Sequence, residues 1–174
     1  MTERIVLRSV CIGGGLVRAG LKVGEAVAIV GAGGGLGHLG IQFAKALGLI
    51  VIAIDARDEA LQLAKECGAD VIIDARNGKE KVVEEVKKVT GGEGAPATLN
   101  VSDHETAAAT SAAVTRMHGL LVQIAQPENV AVPFAELIFR DIRIHGSLVG
   151  KYSNSVSRTR LTNFRLPWRD AEDA

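Results

Sequence analysis

The sequence has only two cysteines, no surplus of either charge, and no apolar run long enough to span a bilayer. Cys11 and Cys67 are too few for a disulfide framework and too far apart for a zinc knuckle, so they read as thiols packed against apolar neighbours. A reducing, cytoplasmic setting is the expectation. Basic and acidic residues balance at 20 each and the isoelectric point is about 6.9, which removes any electrostatic ground for nucleic acid or a membrane as partner. The opening residues MTERIVLRSV carry charges where a signal peptide needs its apolar centre. Hydrophobic content is 47% in 174 residues, sufficient for one packed domain and too short for two of full size.

Glycine is over-represented, with 20 residues against a usual frequency of about 7%. Six glycines fall between Gly31 and Gly40, flanked by two strongly patterned segments. Before them, AVAIV (Ala26 to Val30) has the continuous apolar character of a strand buried on both faces. After them, Leu36, Leu39, Phe43 and Leu47 recur at helical spacing. The unit then repeats. A strand from Ile50 to Ile54 ends in Asp55 and leads to a helix with Ala60, Leu61, Ala64 and Cys67 on one stripe. Val71 to Ile73 precedes a helix lined by Val82, Val83, Val86 and Val89. Further strands are expected at Thr98 to Val101, Leu120 to Ile124 and Ile142 to Leu148, with helices at about Glu105 to Thr115 and Phe134 to Phe139. Six strands alternating with helices specify an α/β fold of the Rossmann type: a doubly wound, six-stranded parallel sheet with helices on both faces. Residues 15–150 form this domain. Residues 1–14 read as irregular, with room for a short strand at Ile5 to Leu7, and 151–174 as an irregular, solvated tail.

A strand that turns directly into a helix presents free N–H groups and the positive end of the helix dipole, which suit a dinucleotide pyrophosphate. Glycines there permit the tight turn, close approach of the phosphates and packing of helix on sheet. Strict G-x-G-x-x-G spacing at Gly35, Gly37 and Gly40 begins inside the helix; Ala32, Gly34 and Gly37 place the same spacing directly after the strand. Asp55, ending the second strand, is positioned to accept both hydroxyls of an adenosine ribose and to repel a 2′-phosphate. NAD is therefore expected over NADP, although Arg57 close by works in the other direction.

The run AGLKVGEAVAIVGAGGGLGHLGIQFAKALG, the strand end VIAID, and the segments GADVIID, NVS, HGLLVQIAQP and IRIHGSLVG resemble the coenzyme domain of zinc-dependent medium-chain alcohol dehydrogenases, the yeast type above all. The resemblance covers residues 15–150. It implies pyrophosphate contacts at Gly34, Gly35, Leu36 and Gly37, a ribose contact at Asp55, and a nicotinamide half approached by Ser102, Ile124, Gln126, Ser147 and Val149. It also implies a homo-oligomer paired through the last strand, Ile142 to Leu148. One departure is Ala60, where yeast-type members carry a lysine.

The family's catalytic zinc is held by two cysteines and the histidine of a Gly-His-Glu motif, and no such motif occurs here. His38, His104, His118 and His145 show no metal spacing. The sequence thus points to the NAD(H)-binding part of an alcohol-dehydrogenase-like oxidoreductase without its zinc-binding catalytic domain, inactive alone and with apolar surface left uncovered. Two other readings stay open: a zinc-free reductase of the quinone-reductase type, and a non-enzymatic module that binds NAD(H) or associates with relatives.

Overall fold

The computed structural model describes the backbone of residues 2–148 and the side chains of residues 11–148. Its elements run α1 (Thr2–Ala19), β1 (Ala26–Val30), α2 (Gly37–Ala46), β2 (Ile50–Asp55), α3 (Asp58–Glu66), β3 (Val71–Asp74), a short 3-10 turn (Ala75–Asn77), α4 (Lys79–Val89), β4 (Ala95–Asn100), α5 (Ala107–Val114), β5 (Thr115–Gln123), α6 (Phe134–Ile138) and β6 (Arg143–Gly146). The six strands form one sheet in the order β3-β2-β1-β4-β5-β6, and every pairing is parallel. This is the expected doubly wound α/β architecture.

Strand alternation explains the layers. Val27 and Ile29 of β1 join Val51 and Ala53 of β2 in a core with Leu39 and Phe43 of α2. Ala28 and Val30 point the other way and meet Ile52, Ile54 and the Val82 and Val86 stripe of α4. With α1 to α3 on one face and α4 and α5 on the other, β1 and β2 are buried on both sides, and this requires the unbroken apolar runs that mark them in the sequence.

The N-terminal segment corrects an expectation. Residues 1–14 were expected to be irregular, with a strand at Ile5 to Leu7, yet α1 runs from Thr2 through this whole stretch. Gly13, Gly14 and Gly15 lower its helix propensity, but packing overrides them. Ile12 and Leu16, one turn apart, are buried in the core. A Cβ on Gly15 would stand 2.8 Å from Cδ1 of Ile124, so the absent side chain lets the helix settle on β5.

The other differences are local. β5 starts at Thr115 rather than Leu120, because its register against β4 slips between Ala95 and Ala97 and accommodates a bulge, with His118 at φ 58. β4 starts at Ala95 and ends at Asn100, and β6 is shorter than the expected Ile142 to Leu148. The expectations for Val149 and for 151–174 lie outside the described residues.

Candidate functional site

In a sheet of this order the chain runs outward from β1 through β2 to β3 and then crosses back to place β4 on the other side of β1, and the crevice at the carboxyl ends of β1 and β4, where the direction switches, is where ligands bind. A cleft of about 630 Å³ opens there, with Gly34 and Asp55 on one side and Ser102 and His104 on the other. The glycine turn that enters it is shaped by close contacts. A Cβ on Gly37 would lie 2.3 Å from the carbonyl oxygen of Gly31, and one on Gly33 would lie 2.3 Å from Cα of Ala60. Ala60, at the position of the yeast-type lysine, is thus buried directly beneath the turn.

Helix α2 begins at Gly37 without a side-chain cap and without an acidic residue in its first turn. Gly34 donates its N–H to the carbonyl of Gly31, and His38 to that of Gly34. The N–H groups of Gly35, Leu36 and Gly37 have no acceptor among the described residues. Three of the four positions matched to a pyrophosphate turn therefore carry free donors at the positive end of a ten-residue helix, a ready anion site.

Asp55 closes the other side. It is 7% exposed, its Oδ2 accepts the N–H of Gly33 at 3.0 Å, and its Oδ1 accepts the N–H of Ala56 at 2.8 Å. Nε of Arg57 stands 3.5 Å from Oδ1. The N–H of Arg57 also approaches Oδ1, at 3.4 Å, and a carboxylate has about four lone-pair sites, so Oδ2 keeps capacity for a hydroxyl donor from the cleft. Three backbone N–H groups fix the acid's orientation before any ligand arrives.

Of the ten residues assigned to coenzyme from the sequence, Gly34, Asp55 and Ser102 line this cleft. Gly35, Leu36 and Gly37 form the turn behind it. Ile124 is buried under α1, Gln126 is exposed, and Ser147 donates its N–H to the carbonyl of Gln123 at 2.8 Å. Ile124, Gln126 and Ser147 therefore sit at the β5 and β6 strand ends rather than in the cleft. A polar rail leads towards them: Asn100 donates to Oε1 of Gln123 at 2.9 Å and accepts the N–H of Ser102 at 3.2 Å.

Arg76 also reaches the cleft and was missed in the sequence. Its guanidinium makes a bidentate pair with Asp74, with Nη2 at 2.7 Å, and a further bond to Asp58. Hydrogen bonds from the Arg76 side chain and backbone hold the Asp74 carboxyl below the usual range, and Asp74 and Asp58 raise the arginine's own pKa. The signal was visible, because Asp-Ala-Arg occurs at both 55–57 and 74–76.

Zinc does not fit the described residues, which include no group of three His, Cys, Asp or Glu able to hold a metal ion. His38 bonds to the carbonyl of Gly34, His118 pairs with Asp141, and Cys67 contacts Gln42. Nor is any helix among them long and apolar enough to cross a membrane.

A family model described as a zinc-binding dehydrogenase matches residues 35–162. The chain belongs to this zinc-binding dehydrogenase family. It is 32% identical over 144 residues to alcohol dehydrogenase 1 of Emericella nidulans, a match spanning 82% of this chain and 41% of that protein. It is 34% identical over 105 residues to the NAD-dependent alcohol dehydrogenase of Sulfurisphaera tokodaii, covering 60% of this chain and 30% of the relative. The solved alcohol dehydrogenase of Aeropyrum pernix superposes with a TM-score of 0.73 at 30% identity, over 85% of this chain and 42% of that one. The chain thus spans about two fifths or less of the length of the dehydrogenases it matches.

Proposed function

We propose that this chain binds NAD(H) and represents the coenzyme-binding part of an alcohol-dehydrogenase-like oxidoreductase. The carrying observation is the buried Asp55 carboxylate, fixed by Gly33 and Ala56, across one cleft from the uncapped N-terminus of α2. Free amides of Gly35, Leu36 and Gly37 take the pyrophosphate beside Gly34, and Asp55 takes the ribose hydroxyls. Ser102, Ile124, Gln126, Ser147 and Val149 serve the nicotinamide half. The bound nicotinamide supplies the hydride acceptor or donor; the chain's own residues bind and orient it. Binding the coenzyme does not by itself stabilise a hydride-transfer transition state, so a chain of these residues alone is expected to be inactive towards alcohols.

NAD is preferred over NADP because a 2′-phosphate would bring its charge against Asp55, and the name of the Sulfurisphaera tokodaii relative supports the same choice. The setting proposed is the cytoplasm, and the partner a second copy paired through the last strand, Ile142 to Leu148. Fluorescence titration with NADH tests the reading: saturable binding, weakened at least tenfold by Asp55→Ala, is expected. A well-folded protein that takes up neither NADH nor NADPH overturns it.

A further inference from the structure

The tripeptide Asp-Ala-Arg ends two neighbouring strands, and the sheet places the two copies side by side: Asp55 of β2 is the register partner of Asp74 of β3. Each acid accepts the N–H of the arginine two residues on, at 3.4 Å in the first copy and 2.9 Å in the second. Arg57 and Arg76 both line the cleft beside Asp55. Their side chains are differently engaged. Arg57 approaches its acid only at 3.5 Å through Nε, whereas Arg76 is gripped by both oxygens of Asp74 and, from the first turn of α3, by Asp58. Two guanidinium groups at the adenosine end are a ready site for a phosphate monoester, since arginine matches phosphate in geometry and charge. One of them is neutralised by a pair of carboxylates that do not line the cleft.

We infer that Asp58 and Asp74 are specificity-determining residues, holding Arg76 away from the 2′-position of a bound coenzyme so that the cleft rejects a 2′-phosphate. The inference rests on the NAD(H)-binding reading above and goes beyond Asp55 as the discriminating acid. Asp55 repels the extra phosphate directly, while Asp58 and Asp74 withhold the cation that would compensate it. Asp58 is exposed and Asp74 half-buried, and an asparagine in place of Asp74 keeps an acceptor for the N–H of Arg76, so Asp→Asn changes leave the local turn its cap.

The test is calorimetric titration of the full chain with NADH, NADPH and 2′,5′-ADP. D58N/D74N is expected to tighten 2′,5′-ADP and NADPH about tenfold while NADH changes less than twofold, and D58N alone to give about a threefold gain. Adding R76Q to the double variant should return 2′,5′-ADP to within about threefold of the native protein, because the gain belongs to the arginine and not to the removed negative charge. The gain should also shrink with added salt. The inference is overturned if NADH binds and D58N, the more exposed change, leaves 2′,5′-ADP unaffected, or if the gain survives R76Q. A native chain that is folded yet binds none of the three ligands overturns the coenzyme reading itself, and the inference with it.

Discussion

The backbone N–H of Gly33 donates to Oδ2 of Asp55 at 3.0 Å, joining the turn after β1 to the end of β2. The bond depends on a glycine. A side chain at 33 would collide with Cα and the carbonyl oxygen of Ala60 in α3, both 2.3 Å from where its Cβ would lie. Gly33→Ala must therefore push the turn off α3 or shift the helix, which overpacking elsewhere prices at about 1–3 kcal/mol. A lower urea midpoint and loss of NADH binding are expected together. Native affinity in a destabilised Gly33→Ala protein would show that the turn does not position Asp55.

Asp55→Asn removes the charge and one of two acceptor oxygens, leaving either Gly33 or Ala56 without its partner. A lost acceptor for a buried N–H costs about 1–3 kcal/mol. The expected result is a modest fall in stability, NADH binding weakened at least tenfold, and a smaller ratio of NADH to NADPH affinity. An unchanged ratio would remove Asp55 as the discriminating group.

Stability should fall in acid through Asp70. Partial burial works against its carboxylate, but the Lys45 ammonium at 2.7 Å and the N–H of Val51 at 2.7 Å outweigh this and hold its pKa below the ordinary value. The folded state therefore binds the proton less readily than the unfolded chain. The stabilisation is complete above the unfolded pKa near 4 and is lost as pH drops through the lower folded value. The pair is about one third exposed, so the contribution is about 1 kcal/mol after solvent screening. Urea midpoints from pH 7 to pH 3 should fall more steeply for the native protein than for Asp70→Asn.

The strand–turn–helix unit and Asp55 were legible because the chemistry is local: β1 is buried on both faces and must be apolar, and a turn beside a helix N-terminus must be small. The role of Gly33 was not legible, since it depends on Ala60 from a later helix. Nor was α1, where three consecutive glycines argue against helix and the distant side chain of Ile124 explains Gly15 alone. Ser102 was found through its motif, while Arg76 went unseen because its importance comes from the register of β2 with β3 rather than from its neighbours in sequence.

Helix α1 makes a separate prediction. Ile12 is fully buried between α2 and the sheet, and a Cβ on Gly40 would come within 2.9 Å of its Cγ1. Ile12→Ala is expected to cost about 2–5 kcal/mol, the range for deleting a buried aliphatic side chain. An irregular N-terminal segment would give almost no change in the denaturation midpoint, so this variant distinguishes a packed helix from a loose end.

The open edge of β6 carries the last prediction. Among the described residues β6 is hydrogen-bonded to β5 alone, and an unpaired edge is a template for another strand. Ile144 in this strand and Leu148 just beyond it are exposed, and on the adjoining α6 Phe134 and Ile138, four residues apart, are 71% and 57% exposed, with Phe139 at 75%. Large apolar side chains left in water at a sheet edge favour association with a second copy, whose matching strand extends the sheet by an isologous contact. Size-exclusion chromatography with light scattering should give a dimer for the native chain. Ile144→Lys places a charge in the pairing strand, the device by which natural edges avoid partners, and should shift the protein to monomer with its unfolding midpoint little changed at low concentration. If the lysine variant elutes as the native chain does, association runs through another face, and the exposed Phe134 and Phe139 become the next positions to charge.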